Sequence, residues 1–301
     1  MTRFDDDTPL TGCPDAKRDR QPLTRRAAVE RIRAALEGLY DAREATSIAR
    51  MAVAEGSGIT LSALLTDPEA PAAIDDFEQT VARLAAGCPV QYLLGSAEFL
   101  GRRFAVGEGV LIPRPETEEL AAWVARDERG AAAILDVGTG SGCIAATLAL
   151  ELPRTRLYAA DISERALAIA AANCRTLGAR VALRRADALA DLAEVFPEPF
   201  DAIVSNPPYV PECERAAMHP NVRDYEPREA LFVPDDDPLR FYRAIARAGR
   251  RMLRPGGRLY FEIHPPFAEA MRRMLGEEGY AGTEVRDDLF GKPRMTCSRL
   301  Q

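Results

Sequence analysis

Residues Ala132-Ala133-Ile134-Leu135-Asp136-Val137 run directly into Gly138-Thr139-Gly140-Ser141-Gly142, and how this stretch is read decides the fold. The first six have the length and apolar character of a buried strand, and the segment from Cys143 to Leu152 is apolar at helical length. Together they make a strand, a glycine-rich turn and a helix. The same rhythm returns at Leu157–Asp161, Val181–Asp187, Phe200–Asn206 and Gly257–Ile263, which read as further strands between helical stretches. Such alternation predicts the α/β class, with a mostly parallel sheet and helices on both faces. Ligands of these sheets bind beyond the carboxyl ends of the strands, so the residues just after each strand are the candidates.

Upstream the pattern changes. Residues 1–22 mix Asp, Pro, Gly, Thr and Arg without periodicity and are expected to be a disordered leader. From Thr24, a plausible helix cap, Val29, Ile32, Leu36 and Leu39 follow helical spacing, as do Ile74, Phe77, Val81 and Leu84. A small helical domain is expected over 23–95, and 113–301 forms the main domain. Between them, Phe99–Phe104 and Val106–Ile112 alternate around Gly101 and Gly107 and suggest a strand pair, a β-hairpin connector over 96–112.

Composition narrows the function classes. The chain has 301 residues and a formal net charge of −7, which argues against a nucleic acid as the direct partner, since binding one normally needs a concentrated basic face. It contains no apolar run of the ~18 residues that span a bilayer, and its first residues lack the features of a secretory signal. A cytoplasmic protein without membrane association is expected. Six cysteines form no pair or cluster of metal-ligand spacing, so reduced thiols and no metal site are expected.

The glycine turn Asp136 to Gly142 brings backbone close to a ligand, but alone it fits a dinucleotide, S-adenosylmethionine or a merely tight turn. Asp161, at the end of the second strand, is placed to accept hydrogen bonds from two ribose hydroxyls. Asp187, followed by Ala188 after the third strand, could receive an adenine amino group or simply cap a helix.

Ser205-Asn206-Pro207-Pro208-Tyr209 after the fourth strand separates these readings. Two prolines end the strand stiffly and remove two backbone donors, leaving an acceptor-rich corner. Such a corner suits a planar NH2 group. The Asn206 side-chain oxygen and the Pro207 carbonyl can each take one N–H, while the Tyr209 ring packs against the plane. Drawing both hydrogens stabilises the positive charge the nitrogen gains when it attacks a sulfonium methyl.

The glycine turn and Ser205–Tyr209 at this separation resemble class I S-adenosylmethionine-dependent methyltransferases acting on planar amino nitrogens, a Rossmann-like fold. Pro89–Gly95, Glu98–Gly101, Leu111–Glu118 and Tyr225–Leu231 narrow the resemblance to the peptide chain release factor glutamine methyltransferases, the HemK/PrmC family, over roughly residues 24–300. The resemblance implies methylation of N5 of the glutamine in the Gly-Gly-Gln loop of class 1 release factors, with the helical domain helping to hold the factor. A glutamine on a ribosomal protein and a nucleic-acid amino group are the rival substrates. From the residues themselves, Pro113 and Pro115 hold Arg114 in a rigid segment where it could brace the pocket, and Glu116 and Glu118 favour a helix start. Ala188 stands where the family often has an aromatic residue, and His264 beside two prolines is read as structural. Asp288–Arg294 matches the family's final hairpin.

Overall fold

A computed structural model describes residues 23–190, 192–196 and 199–301; the leader expected at 1–22 lies outside the described residues. The chain divides into two compact units, Met1–Phe77 and Glu78–Gln301.

In the first unit, α1 (Arg25–Ala35), α2 (Ala42–Gly56) and α3 (Leu61–Thr66) each start on a side-chain oxygen. Thr24 Oγ1 accepts from the Ala27 amide at 3.2 Å, the cap expected from the sequence, and Asp41 and Thr60 serve α2 and α3 in the same way. Ile32 and Leu36 of the expected stripe are fully buried. Helix α2 had no clear signal in the sequence because its buried face is mostly alanine (Ala45, Ala49, Ala52), which contrasts little with its surroundings.

The second unit takes in most of α4 (Phe77–Ala85), then α5 (Val90–Leu94) and the hairpin of β1 (Ser96–Phe99) and β2 (Arg102–Ala105). Residues 78–95 belong here by packing: Cys88 and Tyr92 share a buried cluster with Val106, Val110, Ile112 and Ala166. The hairpin turns at Leu100–Gly101, and Phe99 meets Phe104 edge-on at 5.9 Å. The expected second strand, Val106–Ile112, does not form. That segment is an irregular strap whose backbone bonds are spread over separate partners, with Val106 N donating to Gly95 O and Ile112 N to Glu226 Oε2.

The main sheet is built from β3 (Ala133–Val137), β4 (Arg156–Asp161), β5 (Val181–Arg185), β6 (Phe200–Ser205), β9 (Leu253–Glu262), β10 (Tyr280–Asp287) and β11 (Pro293–Leu300). A small parallel pair, β7 (Val210–Pro211) and β8 (Phe232–Val233), lies outside it. Strand order is β10-β11-β9-β6-β3-β4-β5, parallel from β9 to β5 and antiparallel at β10 and β11. Helices α6 (Pro115–Asp127), α7 (Cys143–Glu151), α8 (Glu164–Leu177), α9 (Leu192–Val195), α10 (Pro220–Arg223), α11 (Arg228–Leu231), α12 (Arg240–Met252) and α13 (Ala268–Glu277) complete the unit.

Alternate strand residues feed two cores. Leu135, Ile203, Leu259 and Phe261 pack with Tyr242, Ile245 and Met271 on one face. Ile134, Ala202, Val204 and Tyr260 pack with Trp123, Ile144 and the hairpin phenylalanines on the other. This two-sided burial is the reason the central strands read as continuous apolar runs. Crossovers from β3 lead through β4 to β5, and the chain then returns to β6 on β3's other side, so a crevice opens beyond β3 and β6. Among the described residues, no helix is long and apolar enough to cross a membrane, and the described cysteines are free thiols.

Candidate active site

The crevice holds a cavity of about 250 Å³ lined by residues that follow β3, β4, β5 and β6, together with the strap before α6. Of the residues expected from the sequence, Gly138, Thr139, Gly140, Ser141, Asp161, Asp187, Ala188, Asn206, Pro207, Pro208 and Arg114 line it. Asp136, Gly142 and Tyr209 do not. Asp136 is fully buried beneath the turn, where its Oδ2 accepts from Thr139 Oγ1 at 2.6 Å. Gly142 has φ +80°, and a Cβ there would stand 3.0 Å from Ala170 Cβ, so its lack of a side chain lets α7 pack on α8. Its role is in packing.

Asp161 is held in place by backbone amides. Its Oδ2 accepts from the Gly140 amide and its Oδ1 from the Ser163 amide, both at 2.9 Å, so one carboxylate shapes the glycine turn and still has a lone pair on each oxygen. Burial pushes its pKa up, and those amides pull it back. This is a suitable receptor for two ribose hydroxyls. Asp187 Oδ1 accepts from the Leu189 amide at 2.8 Å, so the residue forms a turn beside the cavity and does not cap a helix, α9 beginning only at Leu192. No aromatic ring stands at Ala188. Instead Ile162 and Leu189, large apolar side chains left 51% and 38% exposed, flank the cavity where a flat base would cover them. A glycine turn, a pre-oriented carboxylate and apolar flanks fit the nucleoside of S-adenosylmethionine.

At the other end the diproline corner is tied to α6. Asn206 Nδ2 donates to Thr117 Oγ1 at 3.1 Å, Thr117 Oγ1 donates to Glu262 Oε2 at 2.6 Å, and Tyr209 Oη donates to Glu262 Oε1 at 3.1 Å. Asn206 Oδ1 is therefore left for a ligand. Tyr209 does not offer its ring to the cavity; it stacks on His264 at 5.9 Å and 17°. His264 meets Glu214 Oε1 at 2.9 Å and does not line the cavity, in keeping with a structural role. Arg114 Nη2 donates to Glu226 Oε1 at 2.5 Å while Glu226 Oε2 takes the Ile112 amide, so a buried carboxylate holds the strap against the cavity rim.

The chain also has relatives among known proteins. Residues 118–221 match the family model of the Methyltransferase small domain and residues 27–95 that of the PrmC N-terminal domain. The chain is 50% identical over 225 residues to the release factor glutamine methyltransferase of Bacteroides thetaiotaomicron, covering 74% of this chain and 81% of that one. It is 43% identical over 277 residues to that of Cereibacter sphaeroides, covering 91% and 96%. The chain belongs to the release factor glutamine methyltransferase family. A solved methyltransferase from Pyrococcus furiosus shares the fold at a TM-score of 0.51 and 16% identity, over 74% of this chain and 98% of that one.

In this methyltransferase several site residues went unnoticed in the sequence. Thr117 and Glu229 line the cavity, and Asn173 of α8 joins β2 to the turn by donating to Ala105 O and Ser141 O and accepting from the Ala105 amide. Thr117, Glu226 and Glu229 were visible only inside matched motifs. Asp136 Oδ1 finds no hydrogen-bond partner, and burial pushes this carboxyl up to about 7 against the pull of Thr139 and the Ala145 amide.

Two outcomes are expected. Because the folded protein holds the Asp136 proton to higher pH than the unfolded chain, this group's contribution to stability falls as pH rises from about 4 to 7 and is level above that. An asparagine at this position would not titrate, so Asp136→Asn should gain melting temperature relative to the parent between pH 5 and pH 8, whatever constant cost its amide carries; an equal difference at both pH values would refute this. Asp161→Ala should weaken S-adenosylmethionine binding by about 10- to 100-fold in calorimetry, as expected when ribose hydroxyls lose a buried partner. Unchanged affinity would remove Asp161 from the ribose site.

Proposed function

We propose that this enzyme transfers the methyl group of S-adenosylmethionine to the side-chain amide nitrogen, N5, of the glutamine in the Gly-Gly-Gln loop of class 1 peptide chain release factors. The observation that carries the reading is the Asn206 amide, whose nitrogen is engaged by Thr117 while its oxygen is left at a cavity that also holds a ribose-type carboxylate. The relatives named above, which this chain matches over most of their length, are release factor glutamine methyltransferases.

Bound S-adenosylmethionine would supply a methyl made electrophilic by sulfonium charge. Gly138–Ser141, Asp161, Asp187, Ala188, Ile162 and Leu189 would hold its nucleoside. The protein's remaining task is at the nitrogen. An amide lone pair is delocalised into its carbonyl and is a weak nucleophile. Asn206 Oδ1 and the Pro207 carbonyl would accept its two hydrogens, fix the plane and offset the positive charge that develops as the nitrogen attacks. Pro207 and Pro208 contribute no competing donors. Arg114, Asn206, Pro207 and Pro208 form the substrate rim, and Tyr209 acts from behind it through Glu262. The PrmC N-terminal domain match at 27–95 supports a share for the helical region in holding the factor.

Mass spectrometry of purified class 1 release factor, before and after incubation with this enzyme and labelled S-adenosylmethionine, should show one methyl on the loop glutamine. A methyl elsewhere, or only on a ribosomal protein or nucleic acid, would redirect the substrate. In the same assay Asn206→Ala should cut turnover by at least ~10²-fold, the scale of a lost transition-state hydrogen bond, while S-adenosylmethionine affinity stays within a few fold. Parallel losses of affinity and turnover would place Asn206 in cofactor binding instead.

A further inference from the structure

An asparagine side chain is almost symmetric in shape, and it presents an acceptor or two donors depending only on which way its amide is turned. Turned the wrong way, Asn206 would aim N–H groups at the NH2 group it must receive. Thr117 alone does not settle the choice, because a hydroxyl can accept from Nδ2 or donate to Oδ1. Glu262 settles it. An ionised carboxylate only accepts, so it takes the one Thr117 proton at 2.6 Å and leaves Thr117 nothing but lone pairs for Asn206, which must then turn Nδ2 toward it at 3.1 Å. The other Glu262 oxygen takes the Tyr209 proton, so one side chain constrains both ends of the Asn206–Tyr209 corner.

Glu262 is 1% exposed, and burial pushes its pKa up against the two hydroxyl bonds and the more distant Arg294. Burying a carboxylate on neutral hydroxyls is unfavourable for folding. A side chain chosen for packing would not be charged.

We propose that Thr117 and Glu262 are positioning residues that lock the Asn206 carboxamide with its oxygen toward the amide being methylated. The inference rests on the function proposed above, and its failure can be told apart from failure of that reading.

The experiment uses the full chain, purified release factor and labelled S-adenosylmethionine at saturation, with calorimetric cofactor affinity and melting temperature measured alongside. Thr117→Val keeps the shape and removes the hydroxyl. It should lower kcat about tenfold, the scale of one hydrogen bond, with cofactor affinity held within about twofold, and Thr117→Ser should restore most of the rate. Combined with Asn206→Ala, Thr117→Val should cost nothing further, since no amide remains to orient. Glu262→Gln should lower kcat while leaving the melting temperature unchanged or higher, a divergence that a purely structural role does not produce. This last variant decides the matter if Thr117→Val fails to fold. Wild-type kcat in Thr117→Val, multiplicative losses in the double variant, or rate and stability falling together in Glu262→Gln would each overturn the proposal. If the wild-type enzyme leaves the release factor unmethylated, the functional reading itself fails.

Discussion

The structure depends on one topological constraint, the reversal of crossover direction between β3 and β6. Two parallel neighbours whose connections leave on opposite sides cannot cover the space beyond their own ends, and the sheet therefore carries a crevice there. The crevice exposes backbone amides and strand-end side chains, the groups able to hold a polar ligand, at the edge of two dry cores. Glycines at the end of β3, a carboxylate at the end of β4 and the diproline corner at the end of β6 are all consequences of position. Their chemistry differs, but their location has a single cause.

Much of this was legible because it is local. A buried parallel strand must be a short apolar run, and β3, β4, β5, β6 and β9 stand where their runs lie. The residue after each strand could be singled out without knowing anything of its partners, which is how Asp161, Asp187 and Asn206 came to be named. What was not legible is non-local. Thr117 meets Asn206 across 89 residues of sequence, Asn173 meets the Ala105 backbone across 68, and Arg114 meets Glu226 across 112. A threonine between two glutamates at a helix start has no periodicity to mark it as buried. Val106–Ile112 failed in the opposite sense: its apolar residues Val106, Val110 and Ile112 are buried, but no neighbouring strand takes up its backbone bonds. Alternation records which side chains face inward and carries no information on whether a ladder forms.

Tyr209 shows how a side chain can serve the same corner from a different direction than its sequence position suggests. Stacked on His264 and bonded to Glu262, it keeps the chain after Pro208 from drifting, and the cavity wall is left to Asn206 and the two prolines. The corner is stiff for two reasons: proline fixes the backbone, and buried hydrogen bonds fix the side chains on either side of it.

Three buried carboxylates, Asp136, Glu226 and Glu262, share a pattern. Each is raised in pKa first by burial, and each receives donors from separate parts of the chain or from the turn it supports. Asp136 holds the glycine turn, Glu226 the strap and Glu262 the diproline corner, so the three sides of the cavity are each secured by a group that folding alone would leave outside. A carboxylate accepts hydrogen bonds and donates none once ionised, and this one-sidedness makes it a good device for fixing the direction of neighbouring hydroxyls and amides. Apolar packing can fill the same volume but cannot dictate which end of an amide faces outward. An enzyme that must distinguish the two ends of a nearly symmetric group therefore accepts lower stability around its site in exchange for a defined pattern of donors and acceptors.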